Sequence, residues 1–172
     1  ELGYEIYFKG DETAAENLWS ELFKAGEEYE IAPVGLAARD SLRLEMGFCL
    51  YGNDIDSSTN VLEAGLGWIT KLKKENFIGK DTLVKIKEEG TARKLVAMLS
   101  NEKAFPRKDY EISLNGKSIG KITSGTVSPI LGKPIALGYV EKEHSAIGNV
   151  VNFNIRGKEI PAEIIKLPFV HK

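Results

Sequence analysis

The sequence has a single cysteine, Cys49, and only two histidines, His144 and His171. One thiol cannot close an internal disulfide, and one thiol with two imidazoles falls short of the four ligands of a structural zinc site. Reducing, intracellular surroundings are the expectation from that scarcity. Charge of one sign is also missing. There are 23 Lys plus Arg against 25 Asp plus Glu, so 23 − 25 gives a net charge of −2, without the basic stripe of a nucleic-acid binder. The apolar stretches Leu95 to Leu99 and Ile135 to Val140 fall short of the roughly 18 to 20 residues of a membrane-spanning helix.

Several motifs are absent as well. Gly79-Lys80 and Gly132-Lys133 lack the preceding glycine of a phosphate loop, and Gly65-Leu66-Gly67 lacks the third glycine and following helix of a dinucleotide fingerprint. No Gly-x-Ser-x-Gly elbow occurs, and both histidines read as surface residues. The chain starts at Glu1, inside an element and without a signal-like segment, as expected of a piece of a longer protein.

What is present is an ordinary globular mixture, 42% hydrophobic and 28% charged, in 172 residues. That is enough for one large domain or two small ones. Alternation predicts a strand from Gly3 to Phe8, with Tyr4, Ile6 and Phe8 on one face and Glu5 and Tyr7 on the other. Helical spacing predicts a buried stripe of Ala15, Leu18, Trp19, Leu22, Phe23 and Ala25 on a helix from Glu12 to Ala25, stopped by Gly26. Further helices are expected from Gly35 to Met46 and from Lys80 to Glu89, each followed by glycine. From Arg93 onward six short alternating runs replace the helical period: Lys94 to Ser100, Tyr110 to Leu114, Lys117 to Thr123, Ile135 to Val140, Val150 to Ile155 and Glu159 to Lys166. Asn115-Gly116 and Arg156-Gly157-Lys158 mark hairpins. The fold class is therefore α+β over residues 1–90, helices packed on an antiparallel sheet, followed over residues 91–172 by a small all-β barrel. Residues 94–166 should hold at least five strands and no helix longer than two turns.

Two side chains stand out. Glu5 lies off the apolar face of its strand, so it is either solvated or a carboxylate lining a cleft. An ionised carboxylate is acceptor-only and suits a planar heterocycle presenting adjacent N–H donors. Arg43 has Asp40 three residues back as an ion-pair partner, whereas Arg39 has no carboxylate at its own three- or four-residue spacings. Arg39 must find an acceptor outside its helix or stay in water. Lys71, Lys73 and Lys74 form a small basic patch, and turn or cap duties account for Asp54 and Asp56.

The segments Glu1-Leu2-Gly3-Tyr4-Glu5, Gly35-Leu36-Ala37-Ala38-Arg39-Asp40-Ser41-Leu42-Arg43, Leu50-Tyr51-Gly52-Asn53-Asp54-Ile55-Asp56 and Glu63-Ala64-Gly65-Leu66-Gly67-Trp68 closely resemble the glycine cleavage system T proteins, the aminomethyltransferases. Phe77-Ile78-Gly79-Lys80, Thr123-Ser124-Gly125-Thr126-Val127-Ser128-Pro129 and Pro168-Phe169-Val170 fit the same family in the same order. The resemblance implies three subdomains around a folate cavity, with the barrel part of Greek-key or jelly-roll kind. It implies that Glu5 holds the aminopyrimidine edge of the pterin and that Arg39 donates to the folate or to an acid beside it. The implied reaction moves the methylene of an aminomethyl-lipoyl arm, carried on a lipoylated H protein, to tetrahydrofolate and releases ammonia. Tetrahydrofolate is then a co-substrate, and no metal, nucleic acid or membrane is involved.

The family's catalytic aspartate is expected upstream of this chain, so no catalytic residue is assigned within it and the piece alone is expected to be inactive. The cytoplasm is the expected location, or the mitochondrial matrix in a eukaryote. Two relatives give alternatives: the folate module of a dimethylglycine or sarcosine dehydrogenase, and a folate-binding protein of iron–sulfur cluster maintenance. The latter carry a cysteine near Asn76-Phe77-Ile78-Gly79-Lys80-Asp81, where none stands here.

Overall fold

Asp11 opens the first helix, α1, which spans Glu12–Ala25. Its carboxylate accepts a hydrogen bond from the Ala14 N–H at 3.0 Å, satisfying one of the helix's unpaired donors. Gly26 closes the helix by donating its N–H to Leu22 O at 2.9 Å. The computed structural model describes residues 3–171 and forms two compact units, Glu1–Leu36 and Ala37–Lys172. In the first unit the expected helix is present with its expected bounds, but its apolar stripe is not buried: no residue of α1 is, and Trp19 remains 58% exposed. The Trp19 and Phe23 rings rest on each other at 4.7 Å instead.

Residues 3–8 correct the expected strand. They form no strand and are exposed throughout. A strand exists only as part of a ladder, and none of the described residues pairs with this segment. Alternation supplied the pattern without the neighbour.

Helix α2 covers Leu36–Glu45, one residue inside each expected end, and all but its first residue belong to the second unit. Gly47 stops it at φ 74°, where a Cβ would also meet the Leu167 side chain at 2.5 Å. Helix α3 covers Lys80–Glu89, as its spacing predicts. Six strands follow: β1 (Arg93–Leu99), β2 (Glu111–Leu114), β3 (Lys117–Val127), β4 (Pro134–Glu141), β5 (Val150–Ile155) and β6 (Lys158–Ile165). The only helix among them is a single 3₁₀ turn, Lys142–His144.

All pairings are antiparallel and the order β1-β4-β3-β2-β5-β6 closes on itself. Strands β2, β3 and β4 form a meander, and β1 lies beside β4 rather than beside β2, which is the Greek-key arrangement. Asn115-Gly116 joins β2 to β3 with φ of 52° and 74°, the pair of positive values that a type I′ turn demands.

Alternation sorts the barrel's side chains into two cores. Val96, Met98, Ile112, Val151, Phe153 and Ile164 point inward. Ala97, Ile135 and Leu137 point outward and are covered by Leu44 of α2 and by Phe169. Strand β4 is thus buried on both faces, which is why Ile135 to Val140 reads as one apolar run rather than as an alternation. Here a helix does pack on an antiparallel sheet, the sheet being the barrel wall.

Candidate functional site

Arg43 is the best-connected side chain of α2. Its Nε and Nη2 donate to Asp40 Oδ1 at 2.8 and 2.6 Å, the pairing its three-residue spacing predicts. Nη2 also donates to Ser124 Oγ at 2.8 Å, while Nη1 reaches Phe48 O at 3.1 Å and Asp54 Oδ2 at 2.6 Å. Asp54 is fully buried as a side chain, and a buried carboxylate persists only when charge and donors surround it. It has both: Arg43, the Leu50 N–H at 2.9 Å and the Thr123 hydroxyl. Tyr139 adds a hydrogen bond to the Asp54 carbonyl at 3.0 Å.

The barrel supplies its share through a bulge. Between Ile122 and Ser124 the β3–β4 register shifts, so Thr123 is the extra residue. The bulge brings two successive side chains to one spot, Thr123 to Asp54 and Ser124 to Arg43. A second buried acid, Glu45, accepts from the Ser128 hydroxyl and from the Ile130 N–H at 3.2 Å, and its carbonyl accepts from the Phe169 N–H at 2.9 Å. The C-terminal turn of α2 is therefore clamped to the barrel at several points.

A cleft of about 500 Å³ opens between the 52–59 loop and strands β3 and β4. Arg93 lies across it, with its guanidinium 4.4 Å from the Tyr139 ring centroid and paired with Glu63 through Nε and Nη2. Burial pushes the Tyr139 phenol well above its ordinary pKa, and the nearby Glu63 carboxylate adds to that. Asp56 accepts from the Ser58 hydroxyl and N–H and from Thr59, which hold its carboxyl below the usual range, so turn duty does describe Asp56. Burial likewise raises the Cys49 thiol, helped by Asp54, leaving it a poor nucleophile. No histidine or cysteine is among its lining residues; the cleft presents carboxylates, hydroxyls and cationic groups.

Of the two residues singled out by sequence, Arg39 is not among the residues lining the cleft. Glu5 is exposed and accepts a hydrogen bond from the Tyr7 hydroxyl, which raises the Tyr7 pKa. Arg39 is exposed on α2, and among the described residues it has no ion pair. Lys71, Lys73 and Lys74 are exposed, and Lys71 donates to Trp68 O. His171 is exposed, while His144 is partly buried beside Glu141 and Glu143.

The family described as the GCVT N-terminal domain matches residues 1–74, and the glycine cleavage T-protein C-terminal barrel domain matches residues 93–171. The chain belongs to the glycine cleavage T-protein family. Its T-protein relatives include an aminomethyltransferase of Flavobacterium psychrophilum, 53% identical over 99% of this chain and 47% of that protein. Another, from Halothermothrix orenii, is 48% identical over the same shares. A solved structure, the glycine cleavage system aminomethyltransferase T of Bartonella henselae, superposes with a TM-score of 0.82 at 34% identity, covering 92% of this chain and 44% of that one. The chain thus spans about half the length of the T-protein relatives it matches. Glu5, Arg39, Arg43 and Asp54 all fall inside the match to the N-terminal domain, and the Thr123-Ser124 bulge inside the match to the barrel domain.

Helical spacing showed that Arg39 lacks a partner and gave Arg43 its first one. The remaining partners of Arg43 were out of reach, because Ser124 lies 81 residues away. One signal was present: Thr123-Ser124 interrupts an otherwise apolar-polar strand with two adjacent hydroxyls.

Proposed function

We propose that this chain contributes folate-holding residues to a tetrahydrofolate-dependent aminomethyltransferase. The reaction transfers the methylene of an aminomethyl-lipoyl group, presented by a lipoylated H protein, to tetrahydrofolate and liberates ammonia. In this reading Glu5 accepts from the N–H groups along the aminopyrimidine edge of the pterin, and Arg39 donates to the folate or to an acid beside it. Residues 1–90 serve the folate region and residues 91–172 form the supporting barrel domain. The reading also puts the protein in the cytoplasm, or in the mitochondrial matrix of a eukaryote. The 172-residue chain should show no turnover alone, because the reading puts the catalytic aspartate outside it.

The contrast between two arginines one helical turn apart supports the proposal most. Arg43 is saturated by protein acceptors, while Arg39, on the same helix, keeps a solvated guanidinium without a carboxylate partner among the described residues. A guanidinium on a clamped helix is a prepared donor for an anionic or carbonyl-bearing ligand. Glu5 is an exposed acceptor too, bonded among the described residues only to Tyr7.

The test is a tetrahydrofolate titration of the full-length protein and its Glu5→Gln variant. The amide would set an NH₂ donor against the donor-rich pterin edge. Charge-assisted hydrogen bonds contribute about 1.5 to 3 kcal/mol each, so affinity should fall by roughly one to two orders of magnitude. Thermal melts without ligand should match, since Glu5 is exposed. Unchanged affinity removes Glu5 from the site, and a large drop in melting temperature makes it a structural residue instead.

A further inference from the structure

A second cavity, of about 450 Å³, lies where the β1–β2 loop meets the β5–β6 hairpin. It shares no lining residue with the cleft beside Asp54, and Arg39 is not among its lining residues. Lys103, Arg107, Arg156 and Lys158 surround it, and no carboxylate is among its lining residues. The whole chain carries a net charge of −2, so four cations around one opening are a local concentration rather than a reflection of composition. Among the described residues none of the four makes a salt bridge.

The floor has different chemistry. Tyr110, Ile155 and Ile160 are half-buried and pack on the inner barrel core, so they present a fixed apolar surface. Phe105, 68% exposed, stands beside them. A volume of this size, with an apolar floor and a few convergent polar groups, is that of a small-molecule site.

The hairpin supplies a third observation. Arg156 and Gly157 form the turn at φ of 51° and 80°, nearly matching the 52° and 74° of Asn115 and Gly116 in the β2–β3 hairpin. Asn enters this left-handed region far more readily than Arg. A residue serving only the turn would be Asn or Asp; Arg instead carries a guanidinium to the rim of the cavity.

We propose that this cavity binds a nucleoside di- or triphosphate, its phosphates among the four cations and its base against Phe105 and Tyr110. Guanidinium groups match phosphate oxygens in pairs, and four positive charges balance the three to four negative charges of such a ligand. Free phosphate would leave the apolar floor empty, and an uncharged ring would leave the cations unpaired.

The experiment titrates the full-length protein with ADP, adenosine and tripolyphosphate, in EDTA and at one fixed ionic strength, by calorimetry. ADP should bind, with adenosine and tripolyphosphate each weaker by roughly tenfold or more. Arg156→Asn suits the turn and removes only the guanidinium, so it should keep or raise the melting temperature while weakening ADP roughly tenfold. Phe105→Ala should weaken ADP several-fold and leave tripolyphosphate unchanged. Absence of ADP binding up to about 1 mM overturns the proposal. So does equal ADP affinity in Arg156→Asn and wild type, or tripolyphosphate binding as tightly as ADP with Phe105→Ala silent, which would mark a generic polyanion patch.

Discussion

Helix α1 and the C-terminal turn of α2 obey the same local rules with opposite outcomes. α1 has its cap, its stop and a stripe at helical spacing, yet buries none of its residues. α2 has the same share of apolar residues, half of them, yet Leu44 is fully buried against Ala97, Ile135, Leu137 and Phe169, and Glu45 is buried beside it. Capping and periodicity decide that a helix forms. Whether its apolar stripe becomes core depends on what the rest of the chain sets against it.

The widest gap between the two regions should appear at the buried ion pair. Asp54→Ala strands Arg43, whose side chain is 10% exposed, without its buried partner. Removing one member of such a pair should lower unfolding free energy by about 3 to 5 kcal/mol in chemical denaturation. Arg39→Ala, one turn earlier, should change it by less than about 0.5 kcal/mol. Equal effects would erase the distinction between the clamped and the solvated arginine.

Packing comes next. Leu44→Ala should destabilise by about 2 to 5 kcal/mol, because the cavity it leaves is enclosed by the barrel wall. Alkaline pH should act on the second unit through two partly buried groups. The Tyr139 phenol and Cys49 thiol both have raised folded pKa values, so their protonated forms contribute stability at neutral pH. That contribution erodes as pH climbs past the ordinary thiol and phenol values of about 8.5 and about 10. Melting temperatures from pH 7 upward should fall in that window, and Tyr139→Phe should flatten the fall. The smallest effect belongs to α1: Trp19→Ala should move stability by no more than about 0.5 kcal/mol in the 172-residue chain. A larger loss would mean that α1's exposed stripe carries packing after all.

These contrasts also mark what could be read in advance. The bounds of α1, α3 and β5 follow from period and stop residues alone. Strand β3 runs to Val127 rather than Thr123, because Ser124, Gly125 and Thr126 carry no alternation and are held as strand only by pairing with β4. For residues 3–8 the reverse occurred, an alternating pattern with no ladder to join. The same division runs through the candidate site. Arg39's missing partner is a statement about neighbours in sequence, so spacing exposes it. The burial of Asp54 depends on Arg43 and Thr123, 11 and 69 residues away, so turn chemistry was all its local sequence could suggest.

Closure of the six strands has a consequence for how the protein meets other chains. The ring is completed by short ladders, β1 to β6 over Ala97–Leu99 and β2 to β5 over Ile112 and Ser113. Short as they are, they leave the barrel with no open flank of unpaired N–H and C=O groups on which a foreign strand could template itself. Association through the barrel must therefore be written in side chains, and no strand can peel away without tearing two ladders at once. Aggregation by strand addition has to wait for the whole ring to open.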